Sequence, residues 1–173
     1  IEQILEMIQL LNAGQPERFA GQYPGFLERD ASFSFAALSG VRDFAGLLQA
    51  LDSTAYAKIL RPFQPEEAGQ AIDYTGCEAA LFSDYYEQVE KTIDRCFRGR
   101  VRAQLHQLIQ TRVELVNVRA IYRMKTFFPD ADAGEIRRLL MPCWKRIGGS
   151  DLEELLQAPS AQDFGAALRQ SRY

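Results

Sequence analysis

Three groups of side chains in this chain have types and spacings that can do chemistry. Arg95, Arg98, Arg100 and Arg102 lie within eight residues, a density that suits a phosphate or acidic-lipid clamp. Asp130, Asp132 and Glu135 offer carboxylates of the kind a hard cation takes, yet the segment lacks the ligand count and glycine turn of a calcium loop. Glu114, Asn117 and Arg119 interrupt the most apolar stretch of the sequence, where buried polar groups need partners.

Each group has a plainer reading. The arginines decorate a helix-to-helix corner, where two of them complement the dipole of the ending helix. Asp132 and Glu135 are spaced as a helix-capping pair. Glu114, Asn117 and Arg119 are strung along one rod, which favours a structural tie over a ligand site. His106 is the sole histidine and has no Cys, Asp or Glu at ligand-like spacing on its own helix, so a His-based metal site or catalytic triad is hard to assemble. Cys77, Cys96 and Cys143 are odd in number and far apart. They argue against a disulfide framework and for a reducing compartment, with Cys96 and Cys143 packed as small hydrophobes. Trp144, Tyr85, Tyr86, Phe127 and Phe128 have no interleaved basic residues and read as filling rather than a base-stacking platform. No catalytic, cofactor-binding or metal-ligating residue is assigned.

The elements that must position these groups are helices. The 173 residues carry a net charge of −3, with 47% apolar and 25% charged residues, which is globular usage and excludes a bare electrostatic nucleic-acid binder. Charges break even the greasiest window, Leu105 to Phe128, so no membrane span is expected. No segment alternates with the period of a strand, and the fold class is all-α. Apolar spacing places helices at about Phe26–Leu38, Arg42–Leu51, Thr54–Arg61, Leu81–Arg98 and Val101–Phe128. Asp132 begins one running through Trp144, Ser150 with Glu153 caps one to Gln157, and Ser160 begins one through Arg169. In the Leu81–Arg98 helix, Phe82, Tyr85, Tyr86, Val89, Ile93, Cys96 and Phe97 form one stripe. In the next, Leu105, Leu108, Ile109, Val113, Val116, Ala120 and Met124 do so, widened by Leu115, Val118, Ile121 and Tyr122. A helix apolar over so much of its girth is expected at the centre of a bundle. At ~1.5 Å per residue it reaches ~40 Å, which predicts an elongated multi-helix bundle. The opening Ile1, Ile4, Leu5, Ile8 and Leu11 already run at helical spacing without a starting Met, which reads as a piece of a longer chain.

The sequence also repeats. Asp43-x-x-x-Leu47-Leu48-Gln49-Ala50 recurs as Asp151-x-x-x-Leu155-Leu156-Gln157-Ala158, an offset of 151 − 43 = 108. At that shift Glu6 falls on Glu114, Gly40 on Gly148, Tyr56 on Phe164 and Leu60 on Leu168. The offset exceeds solenoid periods and implies repeated domains. Residues 1–65 then form the C-terminal half of one repeat domain and residues 66–173 a second, with the boundary in the Pro- and Gly-bearing stretch Pro62–Gly76.

These motifs together resemble the family of C subunits (d subunits in eukaryotes) of rotary V-type and archaeal-type ATPases. The family's tyrosine-rich helix looks like Asp84-Tyr-Tyr-Glu-Gln-Val, and its acid-x-x-Asn-x-Arg element like Glu114-Leu-Val-Asn117-Val-Arg119. Its Leu-Leu-x-Pro turn looks like Leu139-Leu-Met-Pro142, and its L-x-x-T-x-Y segment like Leu51-Asp-Ser-Thr54-Ala-Tyr56. Glu114 stands where the family more often has Asp, and the second copy departs at Ser160 and Phe164. The resemblance covers essentially the whole chain, which would be about half of a member built from three helical domains in a funnel.

What the resemblance implies is a non-catalytic part of the central rotor stalk. Its partners would be the central-shaft subunits and the proteolipid rotor ring, coupling ATP chemistry to proton or sodium transport. It would be cytoplasmic, touching the membrane only through the ring, with no nucleic acid, cofactor or small-molecule substrate. The rival reading is a free-standing helical scaffold that binds a peptide or helix in a groove. A third is an enzyme whose site lies in a missing part or at a domain junction.

Overall fold

The structure, a computed structural model, describes residues 1–19, 29, 31–67, 69–141 and 146–171. Among the described residues it is all-helical, without a strand. The chain divides into two compact units, Ile1–Phe82 and Ser83–Tyr173.

The first unit opens with α1 (Glu2–Asn12), whose Ile4, Leu5, Met7 and Ile8 are buried. Three short helices follow: α2 (Phe35–Ser39), α3 (Phe44–Ala50) and α4 (Ala55–Leu60). Each starts at an oxygen-bearing side chain that accepts a free first-turn N–H, namely Ser34 from Ala37, Asp43 from Gly46 and Thr54 from Tyr56. Helices of this length are not stable alone, and the apolar residues they contribute hold them. Leu38, Phe44, Leu47, Leu51 and Leu60 join the α1 residues, Cys77 and Leu81 in one core. The core is tied at its edge by Asn12, whose amide donates to Ile72 O at 2.9 Å and accepts Ile72 N at 2.8 Å.

Helix α5 (Tyr74–Cys96) contains the division between the units, and α6 (Gly99–Phe127) is the longest element. Gly99 at φ 56° makes the corner between them, a left-handed conformation that a Cβ disfavours. Arg98 donates to the carbonyls of Arg95 and Phe97 at 3.2 and 2.7 Å, and to that of Asp94, satisfying the orphan acceptors at the end of α5. Past α6 come α7 (Ala133–Arg138), α8 (Gly149–Gln157) and α9 (Ala161–Gln170). Ile121, Ile136, Ile147, Leu155, Leu156 and Phe164 form the second core. Lys125 donates to Leu156 O at 2.6 Å, joining α6 to α8, and loss of solvent lowers its ammonium pKa.

Several expectations need correction. Residues 31–34 are not helical, so the expected Phe26–Leu38 helix is interrupted there, with Arg29 helical before the break and α2, begun by Ser34, after it. Helix α5 starts at Tyr74, seven residues before Leu81. The helix begun at Asp132 ends at Arg138. Ser150 and Glu153 form no capping box, because α8 already begins at Gly149 with Gly148 as its cap. Cys96 is exposed rather than packed, while Cys77 is fully buried. Pro142, Cys143 and Trp144 lie outside the described residues.

Phe44 and Leu152, and Leu47 and Leu155, stand 108 residues apart, and all four are buried. Glu6 and Glu114 do not share an environment, since Glu6 is exposed and Glu114 is fully buried.

Candidate functional site

The polar residues of α6 separate by face. Successive residues turn by about 100°, so Glu114, Asn117 and Ile121 share one side of the rod. Among the described residues, Glu114 (0% exposed) and Asn117 (1%) are the buried polar side chains, and both face the segment that leads from α7 to α8. Asn117 Nδ2 donates to Met141 O at 2.8 Å, and its Oδ1 accepts Met141 N at 3.0 Å. One amide thereby satisfies both main-chain groups of one residue. Glu114 Oε1 accepts two successive main-chain donors, Arg146 N at 2.8 Å and Ile147 N at 2.9 Å. Bonds to a carboxylate from buried N–H groups are stronger than neutral ones and compensate for part of its desolvation. Four main-chain groups of Met141, Arg146 and Ile147, none of them in a helix, are therefore held by two side chains one helical turn apart.

Arg119, the third member of the motif, is exposed on the opposite side and takes no part. The structural tie read from the sequence is what these residues form, with Arg119 excluded. Helix spacing explains the split: Glu114 and Asn117 are three apart, which keeps a face, whereas Arg119 is two beyond Asn117, which does not.

The arginine cluster does not converge. Arg98 closes α5 and Arg102 lies 3.9 Å from Asp94, so two of the four members are engaged within the corner. Asp132 and Glu135 are engaged with each other's backbone, Glu135 N donating to Asp132 Oδ1 at 2.7 Å and Asp132 N donating to Glu135 Oε2 at 3.0 Å, a reciprocal cap. Among the described residues no group of three or more His, Cys, Asp or Glu is placed to hold a metal ion.

His106 has partners that the sequence did not reveal. Its Nε2 lies 2.9 Å from Asp94 Oδ1, and its Nδ1 lies 3.8 Å from Glu90 Oε1. The acids are on α5, twelve and sixteen residues earlier, and meet the imidazole because the corner folds α5 and α6 back on each other. The His106 hydrogen bond, with smaller help from the nearby charges of His106, Arg102 and Arg98, holds the Asp94 carboxyl below its usual range. On the adjoining turns Gln110 donates to Glu90 at 3.3 Å, and Arg112 Nε donates to Tyr86 Oη at 3.3 Å.

The side of α6 opposite Asn117 is not what its apolar content predicts. Val101, Leu108, Leu115 and Tyr122 are 52%, 64%, 50% and 49% exposed. The helix is covered on one side only, and these residues, Leu108 among them, are not part of the core stripe expected from spacing. Tyr85 and Phe97 are also exposed, leaving Ile93 as the buried residue of the α5 stripe beyond Leu81.

A long helix exposed along one side, short helices beside it, and two buried polar side chains that hold main-chain groups define an all-helical protein among the described residues. The chain matches the ATP synthase (C/AC39) subunit family over residues 1–173 and belongs to that family. No curated protein and no solved structure matches it. Among the described residues no helix is long and apolar enough to cross a membrane.

Proposed function

We propose that this chain acts as a non-catalytic coupling part of a rotary ATPase, joining the central shaft of the catalytic head to the proteolipid ring of the membrane sector. The observation that carries the reading is the family match over the whole chain. The geometry agrees with it in kind. Torque passes through a part only if that part is stiff, and Glu114 and Asn117 stiffen the segment after α7 by fixing its main chain. Of the titratable residues singled out in the sequence, Arg98, Arg102, His106, Glu114, Asp132 and Glu135 are engaged in caps, corners and ties. In this reading the division 1–65 and 66–173 reflects duplicated helical domains. The protein sits at the cytoplasmic side of the ring and takes part in proton or sodium movement only through its neighbours.

Copurification tests it. Tagged protein expressed in its own host should bring down shaft subunits and the proteolipid ring in stoichiometric amounts. Recovery of unrelated peptide ligands without any ATPase component would favour the free-standing scaffold and overturn the coupling role.

A further inference from the structure

The outward face of α6 has a regular pattern. Val101, Leu108, Leu115 and Tyr122 are spaced seven residues apart, and all four are exposed. A seven-residue step falls about 20° short of two full helical turns, so the four side chains make a gently winding line about 30 Å long. This is the seam geometry of a helix that packs against another helix.

The charges beside the line have one sign. Arg112 is four residues after Leu108 and three before Leu115, and Arg119 is four after Leu115 and three before Tyr122. Arg123 continues the same edge, one helical turn past Arg119. Helix α6 carries Arg100, Arg102, Arg112, Arg119, Arg123 and Lys125 against a single acid, Glu114, which is buried on the other side. Among the described residues Arg119 and Arg123 make no ion pair, and Arg112 donates to the neutral Tyr86 hydroxyl. Arg102 faces Asp94 and Lys125 reaches Leu156 O, which leaves Arg112, Arg119 and Arg123 as the cations beside the line.

We propose that this face, the line Val101–Leu108–Leu115–Tyr122 edged by Arg112, Arg119 and Arg123, docks an acidic amphipathic helix of a partner protein. The apolar line supplies burial and the arginines select Glu and Asp at the flanking positions of the partner. A second copy of α6 is disfavoured because it would set arginine edges against each other. A lipid surface calls for a broad apolar face, and this line is one residue wide. The proposal goes beyond the rotary-ATPase reading and does not depend on it, since its test uses the purified chain alone.

The probe is a fluorescein-labelled, stapled helical peptide about three heptads long, matching the ~30 Å line, with Leu at the seam and Glu at the flanks. Its anisotropy is titrated with the full 173-residue chain. Saturable binding is expected, weakened at least about tenfold by Leu115→Glu and by Arg119→Glu, and weakened by added salt. The Arg112→Glu, Arg119→Glu, Arg123→Glu triple variant should instead bind a Lys-flanked version of the peptide. Hydrogen exchange should slow in the segment 101–122 when the peptide is bound. Both single substitutions are at exposed positions, and if Leu115→Glu fails to fold the arginine variants still decide. Equal binding of a scrambled peptide of the same composition would overturn the proposal, as would full affinity in Arg119→Glu. So would Leu115-dependent dimerisation of the chain, or Leu115-dependent binding to phosphatidylglycerol–phosphatidylcholine vesicles.

Discussion

Asn117 grips Met141 by its main chain alone, donating to its carbonyl at 2.8 Å and accepting its N–H at 3.0 Å. Asn12 does the same to Ile72 in the other unit, at 2.9 and 2.8 Å. The two asparagines are 105 residues apart, not 108, so the device is used in both units without lying in register with the sequence repeat. Replacing Asn117 tests the tie directly. Asn117→Leu keeps similar bulk but leaves a buried donor and acceptor on Met141 unmet, and should destabilise the chain by ~1–3 kcal/mol in urea unfolding. A change near zero would show that water or another side chain takes the amide's place.

Glu114 should separate charge from hydrogen bonding. Glu114→Gln retains an acceptor that can meet Arg146 N and Ile147 N, whereas Glu114→Leu removes it. The leucine variant should lose ~2–3 kcal/mol and the glutamine variant clearly less. Equal losses in the two would mean that the negative charge, and not acceptance of two donors, is what the site requires.

The pH dependence of the α5–α6 corner follows from Asp94. Its pKa in the folded chain is lowered from 3.8, first by the His106 hydrogen bond, and its unfolded counterpart titrates near the ordinary value. A depressed carboxyl pKa stabilises the fold at pH above the unfolded value. That contribution fades as pH falls from about 4 through the folded pKa. Carboxyl NMR should show Asp94 titrating below a free aspartate, and His106→Ala should move it upward. An unchanged Asp94 titration in that variant would assign the shift to the arginines instead.

The cysteines should differ sharply in reactivity. Burial, aided by Asp73, pushes the Cys77 thiol up to about 12, so almost no thiolate forms at neutral pH. Cys96 is exposed. Iodoacetamide at pH 8 should alkylate Cys96 in the native chain and reach Cys77 only after denaturation, as read by peptide mass spectrometry. Comparable native labelling of both would contradict the packing of the first core.

How much of this was legible beforehand depends on the distance over which each signal acts. Caps are local, and Thr54, Asp132 and Ser160 were readable as helix starts because the oxygen and its N–H lie within three residues. Ser150 misled for the same reason, since a capping pattern two residues past the true cap, Gly148, reads the same in sequence as one at the helix start. The exposure of Leu108 and Leu115 was not legible: periodicity reports that a face is apolar, and only tertiary structure decides whether anything covers it. The polar interruption at Glu114 and Asn117 was visible, but their partners lie 24 to 33 residues away along the chain. The partners of His106 were not legible because its carboxylates are contributed by the preceding helix across a turn.

The ties at Glu114 and Asn117 have a consequence for how such chains can diverge. The hydrogen bonds described from these two side chains reach residues 141, 146 and 147 through peptide groups that nearly every amino acid carries. Those four bonds do not depend on which side chain stands at the three positions. Proline alone is barred at all three positions, because it would delete the hydrogen on which the contact depends.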